Sequence, residues 1–388
     1  MPLRMVVVLA ILGLAFSPST MAGSTSPSGT MPTASVVENG RAMTDVLRLF
    51  ISGHSLTNQP VPMYLEAIAK GAGIDLSWNR QYLEGASIRQ RSSGSATNDV
   101  DDWSGYTSGL DYRNAPVDVL SEFRRPSRHP ELAYDALLIT EQHGLLGSLV
   151  WNQTARYLRD FHDRFITHNS KGRTYFYESW LSLDSKTDPS RWIAYERAAA
   201  PVWRCVVAEI NAAIAAEGRS DRIVSLPAAV ALAELIERAT QGGGVPGVTR
   251  ETVQATIASL VEDNVHLTNM GSYYVALVTF SYIFQRSPFG AWHPPEISSV
   301  QASALQDVAA SIVSQPPSAA MPIEVCRDYV RKSFMWTYLS YFHDVFWRNE
   351  RGYMRALYAR LQVSLQWWRL FSSDGPENPL SKSAFKRR

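Results

Sequence analysis

The sequence predicts an α/β protein, a doubly wound parallel sheet with helices on both faces in three layers, followed by a helical C-terminal region. Three observations predict it. From Val46 to Phe284 short apolar runs alternate with helical patterns, the order that a parallel sheet with crossover helices requires. The first run, with Val46, Leu47, Leu49, Phe50 and Ile51, is apolar as in a buried strand. The chain has 388 residues, 45% hydrophobic and 19% charged, which fits a globular protein with one large domain and an appendage.

The N-terminus reads as an export signal over residues 1–22. Arg4 supplies the positive end, Met5 to Phe16 the apolar stretch, and Thr20-Met21-Ala22 a cleavage site. The apolar stretch is too short to span a bilayer comfortably, so the mature protein is expected to start near Gly23, periplasmic or secreted, with no transmembrane segment. Residues 23–43, rich in Ser, Thr, Pro and Gly, form a flexible lead-in.

The domain expected over residues 44–314 opens with the strand at Val46. A helix follows from Pro60, where Met63, Tyr64, Ala67 and Ile68 recur at helical spacing. Residues 73–78 make a second strand. Residues 89–114 are a polar loop carrying Trp103, Tyr106 and Tyr112, rings that either stack on sugars or pin the loop to its own core. Residues 134–140 are the third strand, 146–166 a helix with Leu158, Phe161 and Phe165 on one face, and 174–177 the fourth strand. A long helix over 191–217, a fifth strand over 222–226 and helices over 228–240 and 250–260 complete the alternation. The Gly-rich stretch 242–247 is a hinge, since it neither follows a strand nor carries a P-loop lysine. A further apolar helix runs through Tyr273 and Phe280, and residues 300–314 make a last packing helix.

Gln315-Pro316-Pro317-Ser318 marks a boundary, and residues 315–388 form the helical extension. Its helices, 323–347 and 352–371, are crowded with aromatics. In the second, Leu357, Leu361, Leu365 and Trp368 form a stripe, while Arg355, Arg360 and Arg369 exclude an ordinary membrane span. The stripe either covers a face of the preceding domain or contacts a partner or a membrane surface. Lys382 and Lys386-Arg387-Arg388 make a solvated basic tail. A formal net charge of +1 argues against nucleic acid as a partner. Cys205 and Cys326 are either a disulfide or two buried thiols.

Chemistry concentrates in two short blocks. In Gly53-His54-Ser55-Leu56, Ser55 falls between a strand end and a helix start, where a hydroxyl can be held clear of the sheet and backbone N–H groups favour developing negative charge. A plain turn has the same local pattern. More than two hundred residues on, Asp263-Asn264-Val265-His266-Leu267 sets an acid and an imidazole three residues apart, so that one loop aims both at one place. An Asp capping a turn beside a packed His has the same spacing.

The first block resembles the Gly-Asp-Ser-Leu nucleophile motif of the SGNH (GDSL) hydrolase superfamily, with His54 in place of the acid, and the second is similar to the Asp-x-x-His-Leu block that closes those domains. The resemblance implies a flavodoxin-like three-layer sheet and a triad of Ser55, His266 and Asp263, with no metal and no cofactor. It places Gly85, beside the Ser55 N–H, at the oxyanion hole. The family's third strand ends in Gly-x-Asn, whose asparagine also donates there; here the aligned residues are Ile139-Thr140-Glu141. A carboxylate cannot donate unless protonated, so Gln142 is the chemically reasonable substitute. Glu141 and Glu178, each ending a strand, are candidates for sugar-hydroxyl contacts with Trp103 and Tyr106. The expected function is hydrolysis of O-acyl esters, chiefly acetyl, on a carbohydrate or another small ester. An O-acyltransferase and a noncatalytic glycan-binding relative are the alternatives.

Overall fold

The parallel sheet sets the position of every loop that matters. The structure, a computed structural model, describes residues 46–93, 105–314 and 319–385. The expectations for the signal segment, the lead-in, Trp103, residues 315–318 and Lys386 to Arg388 lie outside those residues. Five strands, β1 (Val46–Gly53), β2 (Asp75–Tyr82), β3 (Ala136–Thr140), β4 (Arg173–Tyr177) and β5 (Ile223–Leu226), are hydrogen-bonded in the order β2-β1-β3-β4-β5. Every pair is parallel. The order is the flavodoxin-like one, and its reversal point lies between β1 and β3, where the two connections diverge and leave a crevice at the carboxyl ends.

The helices are α1 (Val61–Gly71), α2 (Ile88–Ser93), α3 (Val119–Arg124), α4 (Leu145–Trp151), α5 (Thr154–His168), α6 (Ser190–Ala216), α7 (Ala228–Thr240), α8 (Val253–Leu260), α9 (Asn269–Phe284) and α10 (Ser299–Val313). Adjacent residues of β4 show the layering, because successive side chains point to opposite faces. The Tyr175 hydroxyl donates to the Ile283 carbonyl of α9, 3.3 Å away. The Phe176 ring meets Trp203 of α6 with centroids 5.1 Å apart. α1 packs on α9, and α5 on α3, α4 and α6. Among the described residues α6 alone is long and apolar enough to cross a membrane, but Trp192, Tyr195, Trp203 and Ile210 are spent in the core.

All five expected strands are present. The single helix expected over 146–166 is two, α4 and α5, broken at Gln153, whose φ of 51° no helix accommodates. The polar loop expected over 89–114 opens in α2, and α3 follows it; both helices are too short for their periodicity to register.

The C-terminal helices α11 (Ile323–Tyr329), α12 (Met335–Phe342), α13 (Arg348–Arg351) and α14 (Tyr353–Ser372) belong to the same compact unit, Met43–Arg388. π-turns at Val330–Phe334 and His343–Trp347 join the first three into one rod. The rod docks through aromatics. Tyr341 packs on Tyr195 of α6 and its hydroxyl donates to the Ser182 carbonyl at 2.7 Å, while the Tyr338 hydroxyl accepts from Gly147 N–H. α14 buries Ala356, Ser364, Trp367 and Phe371. Of the stripe named in the sequence, Leu361, Leu365 and Trp368 face outward, and a second apolar row of the same helix covers the domain instead.

Cys205 of α6 and Cys326 of α11 are joined in a disulfide, with Cα atoms 6.4 Å apart. The bond closes a loop of 121 residues. Replacing both cysteines with serine should lower the unfolding free energy by about 2–4 kcal/mol, the usual effect of a native disulfide. Urea titrations of both proteins in non-reducing buffer measure the difference, and coincident transitions would show that the bond contributes nothing.

Candidate active site

β1 delivers Ser55 to the crevice through a turn that only glycine permits at its start. A Cβ on Gly53 would lie 1.8 Å from the Thr57 hydroxyl, which folds back to the His54 carbonyl at 3.2 Å. Ser55 opens a single 3-10 turn, Ser55–Thr57, and α1 starts only at Val61. Ser55 thus lies between the strand end and the helix start, as expected, and the dipole nearest it is that of one short turn.

His54, between Gly53 and Ser55, faces away from solvent. Its Nε2 lies 2.9 Å from the Glu141 carbonyl, an acceptor, so Nε2 carries the proton. Burial above all, then the neighbouring His143 and Arg91, pushes its pKa well down and keeps it neutral. This bond ties the end of β1 to the end of β3. Arg91 makes a second tie beneath it, donating to Ser52 Oγ at 3.0 Å and to the Thr140 carbonyl.

The second block is a small closed loop. Val261 and Leu267 bridge antiparallel, with Glu262 N–H donating to the His266 carbonyl at 2.8 Å. Asp263 Oδ1 accepts the N–H groups of Val265 and His266 at 2.7 and 2.8 Å, leaving Oδ2 for His266 Nδ1 at 2.7 Å. Burial pushes the Asp263 carboxyl up, but those two N–H groups and the imidazole outweigh it and hold the carboxyl well below its usual range. An ionised Asp263 accepts from Nδ1–H, so the lone pair of His266 lies on Nε2. Neighbours hold the loop in place. Trp180 Nε1 donates to the Val265 carbonyl at 2.8 Å, and Leu183 N–H to Asn264 at 2.7 Å. Gly271 fits under it because a Cβ there would be 2.3 Å from the Leu260 carbonyl.

Ser55 and His266 line one cavity of about 350 Å³. No direct hydrogen bond joins their side chains among the described residues. Asp263 stands behind His266, more exposed than a buried triad acid, with 56% of its side chain accessible. Asn58, Tyr82, Trp180 and Asn269 share the cavity, and sequence reasoning gave none of them a role. The signal for Asn58 was its place three residues after Ser55. Its carboxamide oxygen is held by Arg80 and by the Gln59 N–H, which turns the amide donors away from that side.

The residues expected at an oxyanion hole divide. Gly85, at φ 62°, sits just past the end of β2, where Leu83 N–H donates to the Gly53 carbonyl at 3.1 Å. Neither Ser55 N–H nor Gly85 N–H donates to another described residue. Glu84, next to Gly85, lines the cavity, but neither Gly85 nor Gln142 does. The role of Gln142 is the clearer. Its Nε2 donates to the Gly85 carbonyl at 3.0 Å and its Oε1 accepts from Asn152 at 3.1 Å, so it braces the Gly85 turn.

Three expected substrate contacts are corrected. Glu141 is fully buried, and its Oε1 accepts from Ile88 and Gln142 N–H at 3.1 and 2.7 Å, holding α2 on the sheet. Glu178 is fully buried between β4, β5 and α6, accepting from the Ser225 hydroxyl at 2.5 Å. Tyr106 packs on Phe161 and donates to Asp160 at 2.9 Å, so this ring pins its loop.

No protein-family model and no curated protein sequence matches the chain. Among solved structures it is similar to a DUF4886 family protein from Bacteroides uniformis, at 14% identity and a TM-score of 0.46, over 71% of this chain and 97% of that one.

Burial pushes the Glu178 carboxyl up to about 7, against weaker downward pulls from Ser225 and Arg204. Between the ordinary value of 4.5 and about 7, the unfolded chain releases a proton that the folded chain keeps, so stability falls as pH rises through that window. Glu178→Gln retains the hydroxyl contact and removes the titration. From about pH 4 to about pH 8 the wild type should lose roughly 3 kcal/mol more than this variant, read from urea unfolding. Parallel pH profiles would mean that Glu178 is solvated after all.

Proposed function

We propose that the protein is an exported serine esterase of the SGNH hydrolase type that hydrolyses O-acyl esters, chiefly acetyl, on a carbohydrate. The observation that carries the reading is that Ser55 and His266, 211 positions apart in sequence, line one cavity while Asp263 fixes the imidazole tautomer. In this mechanism Ser55 Oγ attacks the acyl carbonyl and His266 Nε2 takes its proton. The Ser55 and Gly85 N–H groups supply the oxyanion donors, with Gln142 positioning Gly85. The imidazolium then gives its proton to the departing sugar oxygen, and water, deprotonated by His266, releases the acyl group from Ser55.

Two features support a neutral, hydroxyl-bearing substrate. Asn58, Gln59 and Asn269 bring carboxamides to the cavity and Tyr82 a phenol. The carboxylates that line it are Glu84 and Glu262, and no lysine or arginine lines it among the described residues, Lys186 Nζ being engaged on the Glu262 carbonyl at 3.0 Å; this balance disfavours an anionic ligand. Acyl transfer to a second sugar uses the same acyl-Ser55, and the exposure of His266 favours water as the acceptor.

The purified protein should release acetate from a chromogenic acetate ester and from an acetylated oligosaccharide. Ser55→Ala and His266→Ala should each lower kcat/KM by about a thousandfold or more, and the double variant should be little worse than either, since triad members act as a unit. A fluorophosphonate should label the wild type and not Ser55→Ala. A Ser55→Ala enzyme with near wild-type turnover would remove Ser55 as the nucleophile.

A further inference from the structure

α14 is apolar on two faces, and the protein uses one of them. Ala356, Ser364, Trp367 and Phe371 point into the core, Trp367 against Tyr338 at 5.5 Å between centroids. On the opposite side Met354, Tyr358, Leu361, Leu365 and Trp368 are between 51 and 72% exposed. Their spacing of four, three, four and three residues keeps all five within one stripe, about 21 Å long at 1.5 Å per residue. A soluble surface does not gather five large apolar side chains in a row without a use for them.

The charge around the stripe identifies what covers it. Arg355 and Arg369 are exposed, and α14 contains no acidic residue. From Arg348 to the C-terminus there are nine Lys and Arg against three Asp and Glu, a net of +6 in a chain whose formal net charge is +1. The preceding 347 residues are therefore net acidic, at −5. A second copy of the chain pairing stripe on stripe would bring two sets of guanidinium groups together with no carboxylate on either helix to offset them. An anionic surface meets no such cost.

We propose that α14 docks the protein onto the surface of an anionic lipid bilayer, with Leu361 and Leu365 entering the acyl boundary and Arg355 and Arg369 on the headgroup phosphates. Tyr358 and Trp368 carry an apolar ring with a polar edge, the chemistry suited to the headgroup level. The buried row fixes α14 rigidly to the domain, so the helix is already formed and no folding cost attends binding. The apolar row and the basic flank are two separate signals, the number that stable peripheral anchoring needs.

The test is cosedimentation of the full chain with vesicles of phosphatidylcholine alone or with about 30% phosphatidylglycerol, at low salt and at about 0.5 M salt, where the Debye length is only a few ångströms. Binding to the anionic vesicles should be at least tenfold stronger than to the neutral ones and should weaken with salt. Leu361→Glu/Leu365→Glu and, separately, Arg355→Glu/Arg369→Glu should each weaken it at least tenfold. Both changes lie on exposed positions, and an unchanged unfolding midpoint confirms that the variants fold. Absence of binding, equal binding to neutral vesicles, or variants that bind like the wild type would overturn the proposal. So would a dimer in sedimentation velocity that Leu361→Glu/Leu365→Glu dissolves while vesicles bind neither protein.

Discussion

Two hydrogen bonds, from Trp180 Nε1 to the Val265 carbonyl and from Leu183 N–H to the Asn264 carbonyl, hold the loop that presents His266. That loop is a single bridged turn with no strand or helix of its own, so its place is set by what lies against it. The Trp180–Leu183 segment is fixed in turn from α6, where Glu196 accepts the Leu181 N–H at 2.7 Å and Trp192 donates to the Leu181 carbonyl at 2.8 Å. Tyr341 holds the next residue from the C-terminal rod. Each such bond is worth only about 1 kcal/mol net, but a buried polar group left unpaired costs more than the bond supplies. The position of the imidazole is therefore held by many small terms acting in one direction, and the C-terminal helices are among its supports.

The other half of the site depends on the sheet reversal. β1 and β3 are neighbours whose connections diverge, and the gap between their ends is bridged by buried polar groups: His54 to Glu141, and Arg91 to Ser52 and Thr140. Burial draws the Arg91 guanidinium down to about 10, with Glu141 pulling the other way. A buried network of this kind fixes the ends of three strands relative to one another, since Gln81 of β2 accepts from Ser52 and donates to the Arg91 carbonyl. The polarity that looked like substrate recognition in the sequence is here the means of keeping Ser55 still.

What was legible in the sequence was local. The apolar runs gave all five strands, and the Gly-x-Ser and Asp-x-x-His spacings picked out Ser55, Asp263 and His266 because each is a short-range pattern. The residues misread were those whose role depends on direction. Glu141 and Glu178 each follow the last residue of a strand, and whether such a side chain enters the crevice or a layer is decided by pleat and packing that composition does not record. Tyr106 was open to either reading until Asp160 and Phe161 lay beside it. On α14 both apolar rows have helical spacing, so periodicity alone could not say which would be buried. Asn58 was missed because one asparagine has no pattern.

The disulfide has a consequence for connectivity. Cys205 and Cys326 enclose β5 and α7 to α10 in a covalent ring that contains Asp263 and His266, while Ser55 stands outside it on the N-terminal arm. The hydroxyl and the imidazole that meet in the cavity thus belong to topologically different parts of the chain, one linear and one cyclic. A peptide bond cut inside the ring opens it without releasing a fragment, so the base stays tethered to the arm that carries the serine. A cut between Ser55 and Cys205 severs the two, and from then on only the sheet and the packing of its helices keep them in one molecule.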